Sequence, residues 1–206
     1  MILSNVEIFK ALDEGRLIIR PEPSPRLPTV GESRSPYDTH SIDLTLSDEI
    51  IVPKKGQIAY DLTKPGQIAE TIAGHSQKLK LTSFQPLVLK PHQFVLGKTR
   101  EYISLPFKEG DSTCLAARIE GKSSRARFGL LVHFTAPTVH PGYSGNLTLE
   151  MINLGPTDFS LVPSMYIAQL IVEEVKGCPI ENPSQFQAQT TAAGSTAHNG
   201  DEPPAS

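Results

Sequence analysis

At 206 residues, 38% of them hydrophobic and 20% charged, the chain has the size and composition of one soluble globular domain that can bury a substantial core. Nineteen Lys and Arg against 22 Asp and Glu give a formal charge of −3, and there is no Trp, a balance that disfavours a nucleic-acid polymer as partner. No apolar run approaches the roughly 18 residues that span a bilayer, and the opening MILSNVEIFKALDEG carries neither a basic leader nor a cleavage site, so a cytoplasmic protein with no membrane partner is expected.

Ser4-Asn5-Val6-Glu7 has the form of a capping box, and Ile8, Phe9, Ala11 and Leu12 follow at helical spacing before Gly15, which predicts a short N-terminal helix. RLIIR (16–20) reads as a strand, and PEPSPRLPTVGESRSPYD (21–38) as a Pro-rich loop. Then come many short aliphatic and β-branched segments: SIDLTL, EIIVP, LKLTS, PLVLK, QFVLGKT, CLAARIE, LLVHFTAP, NLTLEMIN, FSLVP and YIAQLIVEEV. Pro, Gly, Asn and Asp separate them at close intervals, with no helical stretch long enough for parallel crossovers, so a mainly β sandwich or barrel is predicted. Residues 54–76 read as a polar insertion. Residues 1–181 are expected as a single domain. From Asn182 the chain turns to Gln, Thr, Ala, Gly and Pro, a composition that cannot fold on itself, so 182–206 is expected as a flexible tail.

One stretch stands out against the acidic background. EGKSSRARFG (120–129) gathers Lys122, Ser123, Ser124, Arg125 and Arg127 between glycines. Such a run is either a solvated helix face or an anion site, since hydroxyls, cations and the free N–H groups of a helix start suit a polyphosphate. Three catalytic templates are absent. Neither Cys114 nor Cys178 has a cysteine neighbour, and neither His133 nor His140 has a Glu two residues on, which excludes a zinc nucleoside deaminase; the two thiols are most simply reduced. EGKSS lacks the rest of a Walker loop, and there is no Gly-x-Ser-x-Gly elbow. In NLTLEMIN, Leu147, Leu149 and Met151 share one face of a strand, leaving Asn146, Thr148 and Glu150 on the other.

In order, EGKSSRARFGLLVHFTAPTVHPGYSGNLTLEMINLGP and LVPSMYIAQLIVE closely resemble the dCTP deaminases of the trimeric dUTPase-like superfamily. The likeness extends through SIDLTLSDEIIV and QFVLGKTREYISLP upstream and NPSQFQAQTT downstream, over most of the chain. It implies a dUTPase-like distorted β-barrel or jelly-roll protomer with a short helix near 122–128. It also implies a homotrimer with active sites between subunits, and zinc-independent hydrolysis of dCTP to dUTP and ammonia. By position, Glu150 matches the general acid/base, and Ser123 and Arg127 the pair beside the cytosine ring. Lys122 and Ser124 match phosphate contacts, and Ala136 a backbone carbonyl that helps hold the attacking water. Arg125, Ala126, Thr135, His140, Thr148, Leu149, Gln169, Phe186 and Gln189 fall at further nucleotide contacts. Residues 184–192 are then expected to act as a lid on the nucleotide.

These residue types suit the chemistry. Without a metal to acidify water, a carboxylate must take its proton and pass it on, which burial that raises its pKa would favour. Mg²⁺ is expected through the substrate triphosphate, with no protein metal site and no zinc. Two departures bear on activity. His140 stands where many relatives carry the aspartate that dUTPases use to orient water, which weighs against the alternative reading as a dUTP diphosphatase or bifunctional enzyme. Phe186 stands where many carry Tyr. The resemblance also brings in dTTP as an inhibitor, and a sensor that binds without turnover is disfavoured by the joint presence of Glu150, Ser123 and Arg127.

Overall fold

The computed structural model of the chain describes residues 1–28, 34–56, 68–107, 110, 112–177, 179–180 and 187–194. The first helix, α1 (Asn5–Asp13), begins where the capping box places it, with the Ser4 hydroxyl accepting from Glu7 N at 3.5 Å. It buries Ile8 and Ala11 and stops at Gly15, whose φ of +70° lets the chain reverse so that Leu17 N reaches Ala11 O.

The rest is mainly β. In chain order the strands are β1 (Ile18–Arg20), β2 (Ile42–Pro53), β3 (Ser76–Lys80), β4 (Leu87–Leu89), β5 (Phe94–Ser104), β6 (Thr113–Gly121), β7 (Leu130–Val132), β8 (Thr138–Val139), β9 (Ser144–Asn153), β10 (Phe159–Leu161) and β11 (Tyr166–Lys176). Nine form one sheet in the order β7-β9-β5-β2-β11-β6-β8, with β1 added to β5 and β3 to β2; β4 and β10 form a separate ribbon. β9 alternates strictly. Gly145, Leu147, Leu149, Met151 and Asn153 are buried, while Asn146, Thr148 and Glu150 lie on the other face. The core gathers such inward positions from every long strand, including Ile42, Leu44, Leu46, Ile103, Leu115, Ile119, Leu170 and Val172.

Two elements differ from the sequence expectation. SIDLTL and EIIVP form one twelve-residue strand, β2, because the polar Ser47–Asp48 step is absorbed as a register shift against β5 between Leu46 and Ile50. The insertion contains a second helix, α2 (Ile68–Gly74), which at seven residues is too short for periodicity to reveal.

β6 and β7 lie towards opposite ends of the strand order, yet only residues 122–129 join them, built around the four-residue helix α3 (Ser123–Ala126). The sheet therefore curls until its ends approach, so that a Cβ on Gly121 would stand in van der Waals contact with Val132, 3.7 Å from its carbonyl oxygen. The turn after α3 is pressed onto the end of β9. Leu154 N donates to Gly129 O at 2.8 Å, and a Cβ on Gly155 would lie 2.0 Å from the Phe128 carbonyl oxygen. Because that oxygen belongs to the backbone, Gly155→Ala is expected to destabilise the fold by about 3 kcal/mol, the upper range for overpacking. The urea midpoint should fall with the slope unchanged; an unmoved midpoint would show that the turn yields freely.

Candidate active site

The sequence-selected residues fall into two groups. The first surrounds α3. Lys122 precedes the helix, and the first internal bonds run from the N–H groups of Arg125 and Ala126 to its carbonyl, so those of Ser123 and Ser124 come before the helical ladder starts. Ser123, Ser124, Ala126 and Arg127 are exposed. Among the described residues the Arg127 guanidinium has no ion-pair partner. Arg125 turns back, with one guanidinium nitrogen 3.5 Å from Tyr166 O. Lys122 is the enclosed member, its side chain 16% exposed: its ammonium bonds the Asp43 carboxylate and stands 5.9 Å from the Tyr166 ring centroid. Gln169 joins the same carboxylate, its amide nitrogen 3.4 Å from Asp43 Oδ1 and 3.3 Å from Ser41 Oγ. A buried carboxylate needs such partners.

The second group is built on β9. Glu150 is held by His133, the residue after β7: the backbone N–H of His133 donates to Glu150 O at 2.8 Å, and Nδ1 lies 2.8 Å from Glu150 Oε2. The side-chain pair is close but off the line of a strong hydrogen bond, and neither atom has another partner among the described residues. His133 has a φ of +54°, and Nε2 meets the Ala136 carbonyl at 2.8 Å. Both ring nitrogens thus lie beside acceptors, an arrangement that favours the imidazolium charge. Burial opposes that charge, but the Glu150 carboxylate and the carbonyls of Ala136 and Thr148 outweigh it, so the His133 pKa lies above its ordinary value. Thr148 Oγ1 is buried beside this pair with no hydrogen-bond partner among the described residues, whereas Leu149 points into the core and offers only its backbone. Thr135 and His140 are exposed on the loop between β7 and β9.

Residues 187–194 lie against the body of the same chain. Gln189 is buried, its amide nitrogen donating to Tyr143 OH at 3.0 Å and Asn146 O at 2.7 Å. Phe186 lies outside the described residues. No hydrogen bond or ion pair joins the α3 group to the Glu150 group among the described residues, and no group of three or more His, Cys, Asp or Glu there could hold a metal.

Two participants were not anticipated. Asp43 carried one signal, a carboxylate inside the apolar run SIDLTL. His133 carried none, because only the β7–β9 pairing brings it to Glu150.

The family model described as dCTP deaminase-like matches residues 2–175. The chain is 34% identical to the dCTP deaminase of Natronomonas pharaonis, covering 92% of this chain and 91% of that one. It is also 34% identical to the "dCTP deaminase, dUMP-forming" of Dictyoglomus thermophilum, over 100% of this chain and 94% of that one. The fold resembles the crystal structure of 2′-deoxycytidine 5′-triphosphate deaminase from Agrobacterium tumefaciens, with a TM-score of 0.59 at 16% identity, over 83% of this chain and 48% of that longer one. The protein belongs to the dCTP deaminase-like family.

The His133–Glu150 pair has a pH signature. A folded-state pKa above the ordinary value means that the folded protein binds the proton more tightly than the unfolded chain. That stabilisation is fully present below the unfolded pKa and is lost as pH rises through the folded one. The stability deficit of His133→Asn is therefore expected to be largest at about pH 6 and to shrink towards about pH 9. Urea unfolding of both proteins across that range checks it; a constant deficit would mean that packing alone is lost.

Proposed function

We propose that the protein is a zinc-independent dCTP deaminase, hydrolysing dCTP to dUTP and ammonia, with the cytoplasm as its site of action. The observation that carries this reading is the carboxylate of Glu150 on the outward face of β9, fixed by His133 beside the Ala136 carbonyl. A water held by that carbonyl and by Glu150 gives up one proton to the carboxylate and adds through oxygen to C4 of cytosine, and Glu150 hands that proton to N3. Glu150 then takes the second proton from the C4 hydroxyl and delivers it to the 4-amino group, the C4–N bond breaks, and ammonia leaves as the C4 carbonyl forms. Ser123 and Arg127 stabilise charge on the tetrahedral centre. Lys122, Ser124 and the first N–H groups of α3 take the triphosphate, with Arg125, Ala126 and Gln169 around it. Thr135, His140, Thr148 and the Leu149 backbone lie along the sugar and base. Mg²⁺ arrives on the triphosphate oxygens as part of the substrate.

Among the described residues of one chain no bond joins the cationic turn to the carboxylate, and a homotrimer in which one subunit's α3 faces its neighbour's Glu150 supplies the missing proximity. The tail, with Phe186 and Gln189, closes over the nucleotide as a lid. dTTP, which offers the same triphosphate, competes as an inhibitor.

A second reading, deamination coupled to diphosphate release, is favoured by the name of the Dictyoglomus relative. With His140 where a water-orienting aspartate would stand, dUTP is expected as the product. Resolving dUTP from dUMP plus pyrophosphate after incubation with dCTP and Mg²⁺ decides between them.

Glu150→Gln keeps size and hydrogen bonding but cannot accept the proton, so turnover should fall at least about 10²-fold with nucleotide binding retained. Substantial residual turnover would remove Glu150 from the mechanism. Lys122→Ala should weaken dCTP binding by about 1.5–3 kcal/mol, the scale of a charged hydrogen bond, and leave deoxycytidine binding little changed. Because this change also orphans the buried Asp43 carboxylate, Lys122→Ala/Asp43→Asn serves as the folded control. Equal losses on both ligands would make the lysine structural.

A further inference from the structure

β5 changes partner in mid-strand. On one edge it pairs with β2 through Leu96, Gly97 and Thr99, and then with β1 through Tyr102, Ile103 and Ser104. On the other edge it follows β9, but the step from Lys98 to Tyr102 is matched by the shorter step from Thr148 to Asn146. β5 therefore bulges at the point where β2 gives way to β1. The excess is an even number of residues, so it shifts the alignment of β9 without turning Glu150 over.

Glu101 stands in this bulge, only 4% exposed. Its side chain serves one edge. Leu46 N donates to Met165 O, away from β5, so by alternation the N–H of Thr45 points towards β5, beyond the Leu46–Thr99 pair that ends the β2–β5 ladder. The carboxylate meets it there: Oε2 accepts from Thr45 N at 2.9 Å, and Oε1 from Thr45 Oγ1 at 2.6 Å. Its backbone serves the other edge. The Glu101 carbonyl accepts from Thr99 Oγ1 at 2.7 Å and from Asn146 Nδ2 at 3.2 Å, and Thr99 Oγ1 in turn accepts from Leu147 N at 2.9 Å. A buried carboxylate is costly unless it is bonded in this way, and no step of the proposed reaction uses this one.

We propose that Glu101 is a positioning residue for the reaction, a clamp whose carboxylate replaces the main-chain acceptor that β2 loses at the bulge and whose carbonyl, through Thr99 and Asn146, fixes the first half of β9 and so the place of Glu150. One residue thereby ties three strands at the point where the ladder is broken. Leu147 and Glu150 share β9, so a displaced ladder at Leu147 is carried to the carboxylate. A shift of about 1 Å in a reacting group can cost about 10²-fold in rate. The phosphate contacts of α3 lie outside the clamp, so substrate binding is spared. The clamp itself stands on the hydrogen bonds, while its effect on catalysis rests on the deaminase reading.

Glu101→Ala removes the carboxylate and is expected to lower kcat on dCTP at least about tenfold, with KM held within about threefold. In Glu101→Gln the side-chain oxygen still accepts from Thr45 N and the amide donates to Thr45 Oγ1, so kcat should return to within about threefold of the unaltered protein. Thr99→Val deletes the link to Leu147 at nearly constant shape and should act as Glu101→Ala does; it decides the matter if Glu101→Ala fails to fold. Ile8→Ala, a truncation in the core beneath α1, is the control for lost stability alone and should leave kcat within about threefold. Hydrogen exchange without nucleotide reads the clamp independently of activity. The Leu147 amide should exchange at least about tenfold faster in Glu101→Ala and in Thr99→Val, and the Thr45 amide in Glu101→Ala. A kcat no lower than that of Ile8→Ala, a loss carried by KM alone, or unchanged exchange in both variants overturns the proposal. Faster exchange in both, in a protein whose unaltered form fails to deaminate dCTP, upholds the clamp and removes the deaminase reading instead.

Discussion

The eight residues between β6 and β7 carry a geometric constraint from which the rest follows. A connection so short between strands towards opposite ends of the sheet order leaves the sheet no choice but to curl. Curling then demands that the backbone of the 127–129 turn meet the end of β9 with almost no separation, which is why a glycine stands on each side, Gly129 at a φ of +94° and Gly155 beneath the Phe128 carbonyl. The same connection displays Ser123, Ser124 and Arg127 to solvent, so closure of the sheet and exposure of the cationic turn are one structural event.

Within that shell, charge is handled pairwise. The enclosed cation of each group faces a carboxylate, Lys122 with Asp43 and His133 with Glu150. Pairs of this kind compensate for desolvation more than they stabilise the fold, and they keep each half of the site in one conformation. Among the described residues, Arg127 is an exposed cation of the turn without an ion-pair partner. Any anion reaching Lys122 would have to share it with Asp43.

Much of the architecture was legible in the sequence because the signals were local. The capping box at Ser4 and the period-two alternation of NLTLEMIN each need only a few neighbouring residues, and the fold realises both. The outward placement of Glu150 followed from the same alternation. What escaped were relations across the chain. β2 is continuous because β5 tolerates a register shift, α2 is too short to show a period, and His133 meets Glu150 only through the pairing of β7 with β9. The tail's polar, small-residue composition cannot make a core of its own, and Ala192 and Ala193 are buried against Ile51 and Leu96 because smallness suits a shallow contact on an existing sheet.

Asn153, at the end of β9, has no exposed surface, and its amide nitrogen donates to Leu89 O at 3.1 Å and Thr157 O at 2.8 Å while its oxygen accepts from Gly155 N at 2.9 Å. Those three bonds can form in one alignment only. A slip of β9 by one residue would carry Glu150 into the hydrocarbon interior and Leu149 out to water, since neighbouring side chains of a strand face opposite ways. It would also strand a buried amide, at roughly 1–3 kcal/mol for each unsatisfied group. A polar side chain on the buried face of β9 thus acts as a proofreading device for folding, favouring the register in which the Glu150 carboxylate faces outward.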